Sequence, residues 1–207
     1  AGQRDGAVSR LFNRLQFSAV GMVERVASQQ HLAVAGDDGE QVVEVVRHAA
    51  RELAHRLHLL GLAQLLARAG ADFTVVDDTP AGRVRAAELG FATCTSDEAR
   101  SRFGETELVV TSPGWRPDTP LLVDAASAGV EVVGDVELCY RLDRAGVFGP
   151  PRTWLVVTGT NGKTTTTGML AAMMAEAARD TGRRASACGN IGVAVSKVML
   201  LDERVDV

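Results

Sequence analysis

Lysine is almost missing from this sequence. Of its 22 basic residues only Lys163 and Lys197 are lysines, so arginine carries nearly all the positive charge. A compact point charge is therefore confined to two places, one of which falls where phosphate chemistry wants it. Histidine and glutamine vanish early: His31, His48, His55 and His58, and every glutamine, lie within the first 64 residues. That start differs in composition from the rest. Cys94, Cys139 and Cys188 are odd in number and widely spaced. They make no metal motif and suit buried, reduced thiols of a cytoplasmic protein. No apolar run is long enough to cross a bilayer, so membrane insertion is not expected. The opening Ala1-Gly2-Gln3-Arg4-Asp5 lacks the basic-then-apolar pattern of a secretion signal. A net charge of −4 gives no general attraction for nucleic acid.

What is present is ordinary globular material. The chain has 207 residues, 46% of them hydrophobic, enough for one large or two small domains. Residues 1–30 signal weakly, with Leu11, Leu15, Val20 and Val23 placed for irregular helices. His31–Ala35 reads as a short strand before the turn Gly36-Asp37-Asp38-Gly39. Val42, Val46, Ala49, Leu53, Leu57 and Leu60 form a helical stripe. His48, Glu52 and His55 share the charged face of that helix, which is read as solvated rather than metal-binding.

From Leu62 the pattern becomes regular. A helix ends at Gly70, and a strand Phe73–Val76 ends at Asp77-Asp78. Pro80 opens a helix that stops at Gly90, and a strand Phe91–Cys94 follows. Ser96 caps the next helix, and Leu108–Thr111 is a strand running into Ser112-Pro113-Gly114. Thr119-Pro120 begins a helix ended by Gly129, Val130–Val133 is a strand, and Gly134-Asp135 opens another helix. Such alternation implies a parallel sheet with helices on its faces. Gly146, Gly149 and Pro150-Pro151 mark a linker. The expected division is a divergent, mostly helical stretch over 1–60, a Rossmann-like α/β domain over 61–149 and the start of a second domain over 150–207.

The second domain opens with the most informative stretch. Trp154-Leu155-Val156-Val157 reads as a strand, Thr158-Gly159-Thr160-Asn161-Gly162 as a tight turn, and Lys163-Thr164-Thr165 as a helix start. Two glycines let the backbone fold closely and turn its N–H groups inward, and a helix N-terminus adds partial positive charge. Lys163 then supplies a charge for β- and γ-phosphates, and Thr164 a hydroxyl for Mg²⁺. The loop is a variant, because Val157 stands where the common phosphate loop has its first glycine. Beyond it, Ala185–Cys188 reads as a strand into Gly189-Asn190-Ile191-Gly192, and Val193–Leu200 as a helix.

Taken together, Gly159–Thr165, Thr111-Ser112-Pro113-Gly114, Gly134-Asp135-Val136-Glu137-Leu138 and Gly189-Asn190-Ile191-Gly192 resemble the Mur ligases, which add amino acids to peptidoglycan precursors. The loop alone marks the wider superfamily, folylpolyglutamate synthases included. The other three motifs favour the D-glutamate-adding branch. The resemblance runs from about Leu62 to Val207. It implies an α/β fold: a Rossmann-like parallel-sheet domain, then the start of a P-loop ATP-binding domain. It implies ATP and Mg²⁺ as cofactors, UDP-N-acetylmuramoyl-L-alanine and D-glutamate as reactants, and a cytoplasmic ligase reaction through an acyl phosphate. Lys163 and Thr164 would carry the chemistry. Gly159, Thr160, Asn161, Gly162 and Thr165 would complete the ATP loop, with Thr164 on the metal. Asp77 would recognise the uracil ring, Ser112, Pro113 and Gly114 would lie along the pyrophosphate, and Asn190 would contact the muramoyl group. Asp77 also suits a plain turn after a strand, and Asn190 a plain turn.

The resemblance weakens at both ends. The family's first strand, glycine turn and helix find no counterpart before Leu62, since His31–Gly39 lies too far upstream of Asp77 and is acidic. Val205-Asp206-Val207 reads as the start of a strand. A second Mg²⁺ ligand, a carbamylated lysine and an amino-acid-binding domain are expected beyond it. The chain by itself is therefore expected not to turn over.

Overall fold

Phe73-Thr74-Val75-Val76 and Leu108-Val109-Val110-Thr111 are β-branched and mostly apolar on both faces, as suits strands covered from either side. The computed structural model describes the backbone of Gln16–Val20 and residues 59–112, 115–189 and 193–207. Its strands are β1 (Gln16–Val20), β2 (Asp72–Val76), β3 (Thr93–Cys94), β4 (Leu108–Thr111) and β5 (Glu131–Gly134). They form one sheet in the order β3-β2-β1-β4-β5, with every pairing parallel. The expected alternation is therefore present.

The helices follow the punctuation of the sequence. Residues 59–68 form α1, and Gly70 takes the left-handed conformation that ends it (φ 74°). Then come α2 (Pro80–Glu88), α3 (Ser96–Ser101), α4 (Pro120–Ser127), α5 (Asp135–Arg144), α6 (Lys163–Ala178) and α7 (Val195–Met199). The cap of α3 is Thr95 rather than Ser96. Its hydroxyl accepts from Glu98 N–H, and the Glu98 carboxylate accepts from Thr95 N–H at 2.7 Å.

Alternation along each strand splits the core in two. Val75, Leu108 and Val110 join Leu62, Leu65 and Leu66 of α1, Ala86 of α2, and Leu138 and Leu142 of α5. Val76 and Val109 pack with Ala99, Phe103, Leu121 and Ala125 on the other face. Each fully buried leucine contributes roughly 2 kcal/mol, so α1 is held by packing more than by its own propensity. Val195 and Met199 of α7 join the first cluster. Gly61 lies so close to α7 that a Cβ there would stand 2.9 Å from Ser196 Oγ.

Several expectations about strands fail: Ala185–Cys188 and Val205–Val207 form none, Cys188 making only an isolated bridge to Val193. Around Val20 an irregular helix was expected, but Gln16–Val20 is the central strand, between β2 and β4. Gln16 and Ser18 interrupt the apolar run that marks the other strands. Conversely, Trp154–Val157 forms no strand, and Val156 is 80% exposed. An apolar run becomes a strand only where a neighbour pairs with it, and the backbone pairing found here stops at Thr153 N–H, which donates to Asp206 O (2.9 Å). Val207 and Arg184–Ser186 continue that small strip through Asp206 N–H and Val207 N–H to Arg184 O, and Ser186 N–H to Val207 O. His31–Gly39, the helical stripe up to Leu57 and the His48, Glu52, His55 face lie outside the described residues.

The β2–α2 turn carries a steric constraint. Asp77 is 3% exposed, and its Oδ1 accepts from Thr79 N–H (2.8 Å) and Thr79 Oγ1–H (2.7 Å). A Cβ on Gly82 would fall 1.9 Å from Asp77 Oδ2. Alanine in a helix ordinarily gains about 1 kcal/mol over glycine, but overpacking costs about 1–3 kcal/mol and wins here. We expect Gly82→Ala to lower the urea-unfolding midpoint in the wild-type chain and to raise it in an Asp77→Ala background. A second expectation concerns pH. Hydrogen bonds from Thr95 hold the Glu98 carboxyl below its ordinary value of 4.5. That stabilisation is present above the ordinary value and is lost as pH falls through the lowered one. In Glu98→Gln this pH-dependent part of the urea midpoint should disappear.

Candidate nucleotide-phosphate site

The loop before α6 has the backbone that its glycines permit. Gly162 is left-handed (φ 75°, ψ −4°) and caps α6, and Gly159 has φ 142°. Side chains rarely adopt either conformation, so both positions call for glycine. Lys163 is the first residue of α6, a helix of 16 residues, and Thr164 and Thr165 stand in its first turn. The N–H groups of that turn have no partner within the helix and point out of its end. Thr160, Asn161, Thr164 and Thr165 are exposed. The Lys163 ammonium folds back over the loop, donating to the carbonyl oxygens of Gly159 and Thr160, the second at 3.2 Å. The structure thus places Gly159, Thr160, Asn161, Gly162, Lys163, Thr164 and Thr165 together in one turn at the N-terminus of α6. The Thr164 side chain is exposed in the first turn of α6. Among the described residues no cluster of three or more His, Cys, Asp or Glu side chains could hold a metal by itself.

Asp77 and Ser112 belong to a different part of the molecule. Both follow strands at the carboxyl end of the sheet, Asp77 after β2 and Ser112 after β4. β1 lies between them, with Val20 opposite Val76 on one side and Thr111 on the other. Ser112 is 5% exposed. Successive strands step outward in opposite directions from β1 and β4, so the order of the sheet reverses there. In open parallel sheets a crevice forms outside the carboxyl ends at such a point. Pro113, Gly114 and Asn190 lie outside the described residues.

Two acidic side chains missed by sequence reasoning organise these edges. Asp78 accepts from Ser96 N–H (2.7 Å) and Ser96 Oγ–H (2.8 Å), tying the end of β2 to the start of α3. Asp143, on α5, is 1% exposed and accepts from Arg152 and Trp154 across the linker. Only the pairing of Asp77 with Asp78 at a strand end hinted at the first, and nothing local marked the second. Burial pushes the thiols of Cys94, Cys139 and Cys188 up.

No protein-family model matches the chain. Curated relatives do. Over 148 residues, 71% of this chain and 30% of the relative, it is 56% identical to the UDP-N-acetylmuramoylalanine–D-glutamate ligase of Corynebacterium efficiens. It is 54% identical to that of Corynebacterium diphtheriae over 150 residues, 72% of this chain and 31% of the relative. Against the ligase of Mycobacterium tuberculosis H37Rv the identity is 55% over 138 residues, 67% of this chain and 27% of the relative. The chain thus spans about 30% of the length of the curated relatives it matches. Over some 70% of its own length it is a homologue of the UDP-N-acetylmuramoylalanine–D-glutamate ligases, and its family is that of the Mur ligases.

Proposed function

We propose that the chain carries the ATP-phosphate loop and part of the UDP-substrate domain of a peptidoglycan-precursor ligase. That ligase would join D-glutamate to UDP-N-acetylmuramoyl-L-alanine. The observation that carries the reading is the Gly159–Lys163 turn, which opens α6 in a chain 54–56% identical to ligases of that name. On this reading the 59–112 and 115–149 region with β1 is a Rossmann-like half. Residues 150–207 begin a P-loop domain, and the protein works in the cytoplasm.

The chemistry follows from the side chains. A carboxylate is a poor acyl donor because oxide is an impossible leaving group. ATP supplies a phosphoryl group that turns it into an acyl phosphate, with ADP leaving, and an amine then attacks the acyl carbon and displaces inorganic phosphate. Lys163 would leave the carbonyl oxygens of Gly159 and Thr160 and meet the β- and γ-phosphates, where negative charge builds. The N–H groups of Asn161, Gly162 and the first turn of α6 would hold the same oxygens without reorganising. Thr164 would place its hydroxyl on Mg²⁺. Ser112, Pro113 and Gly114, at the crevice, would follow the pyrophosphate of the UDP substrate, and Asn190 would touch its muramoyl group. Uracil recognition by Asp77 would require the turn to release part of its hold on that carboxylate.

Titration calorimetry with ATP and Mg²⁺ tests the reading. We expect the 207-residue chain to bind, Lys163→Ala to weaken binding about ten- to hundredfold, and Thr164→Ala to remove the Mg²⁺ dependence, each with an unchanged circular dichroism spectrum. Equal affinity in Lys163→Ala would sink it. A second test concerns turnover. D-glutamate-dependent phosphate release should be absent from this chain and present in a protein of the relatives' full length. Release stimulated by another amino acid would assign the site to a different ligase of the superfamily.

A further inference from the structure

The Asp143 carboxylate gathers three donors across the linker. Its Oδ2 accepts from Arg152 N–H (2.8 Å) and Trp154 Nε1–H (2.9 Å), and its Oδ1 from Arg152 Nη1–H (2.6 Å). Arg152 Nε–H reaches on to Val205 O (2.9 Å). Asp143 is 1% exposed and the Arg152 side chain 9%, so the pair is screened little by solvent. The Trp154 ring stands edge-on to Tyr140 of α5, with centroids 5.4 Å apart at 89°. One carboxylate on α5 thus grips the backbone and both side chains of the segment that leads into the phosphate loop.

Apolar packing does only part of this job: Trp154 and Cys188 also pack against the first core cluster, but α6 adds little. Between α6 and residues 152–157 lies an apolar cleft of about 270 Å³, bordered by Leu155, Val157, Leu170 and Met174. Along α6, Ala178 alone is buried, and Met169 and Met173 are more than half exposed. The loop and its helix are therefore tied to the first sheet through Arg152 and Trp154, alongside α7, whose Val195 and Met199 sit in the first core cluster.

We infer that Asp143 is a positioning residue: its clasp on Arg152 and Trp154 fixes the phosphate loop relative to the carboxyl edge of the first sheet. Its effect on nucleotide affinity rests on the reading of the loop given above, whereas the clasp itself does not. Without the clasp the loop and α6 sample several orientations. Apparent affinity then falls by the fraction that remains competent.

The test uses nitroxides on Glu88→Cys and Met169→Cys, both at exposed positions, in a Cys188→Ala background, with distances read by double electron–electron resonance. The parent should give one narrow distance. Asp143→Asn and Arg152→Lys should broaden it while the far-ultraviolet spectrum stays unchanged. ATP should bind about tenfold more weakly if a tenth of the molecules remain competent. Arg152→Lys keeps the buried charge but loses the planar fork, so it decides the matter if Asp143→Asn does not fold. Variants with a lowered unfolding midpoint and an unchanged distance distribution would overturn the inference, since a merely stabilising ion pair behaves that way. A parent chain that binds no ATP would defeat the reading of the loop and leave the distances to judge the clasp.

Discussion

The sheet depends on the pairing of β1 along both of its edges. β2 and β3 form one parallel ladder and β4 and β5 another, and only β1 hydrogen-bonds to both groups. Remove it and two two-stranded ribbons remain, each too small to stand alone. The helical layers depend on it as well. Leu62, Leu65 and Leu66 of α1 and Leu138 and Leu142 of α5 share one cluster with Val75 from β2 and Val110 from β4. Those residues meet only because the strand between them sets β2 and β4 the right distance apart.

The same constraint places the chemistry. Parallel strands end on one side, so the residues after β2, β4 and β5 gather at one edge without any contact between their own sequences. Asp77, Ser112 and Asp135 reach that edge by topology alone. The phosphate loop reaches its place differently. It follows a segment with little regular structure of its own, held by the Asp143 carboxylate and by a short strip of backbone hydrogen bonds to Asp206. Two kinds of order thus act: sheet register places Asp77, Ser112 and Asp135, and a buried polar clasp holds the segment before the Gly159–Lys163 turn.

Legibility in the sequence divides along the same line. Strands β2, β4 and β5 showed as short β-branched runs, and Gly70, Gly90 and Gly129 ended their helices as expected, each with a left-handed backbone. The backbone of the Gly159–Lys163 turn was legible because its glycines act locally, Gly162 capping α6 in a left-handed conformation. β1 was hidden because Gln16 and Ser18 break the apolar pattern and because its partners lie far along the chain. The strand read at Trp154–Val157 failed for the converse reason: its run is apolar, but pairing decides. The bonds of Asp78 to Ser96 and of Asp143 to Trp154 join residues that no local pattern connects.

The shortage of lysine now has a physical reading. Arginine is used where a planar fork must bridge two acceptors. Arg141 joins Glu131 and Glu137, Arg100 joins Asp97 and Asp124, and Arg152 joins Asp143 and Val205 O. Such bridges are geometric, and an ammonium on a flexible stem reproduces them poorly. Lys163 has the opposite task. Its charge rests on two carbonyl oxygens of its own loop, and on the proposed reading it would leave them for a phosphate. A fork locked into a fixed pair of acceptors would resist that exchange, whereas a compact charge on a rotatable chain makes it easily. One of the chain's two lysines is thus found where, on the proposed reading, a cation would have to move.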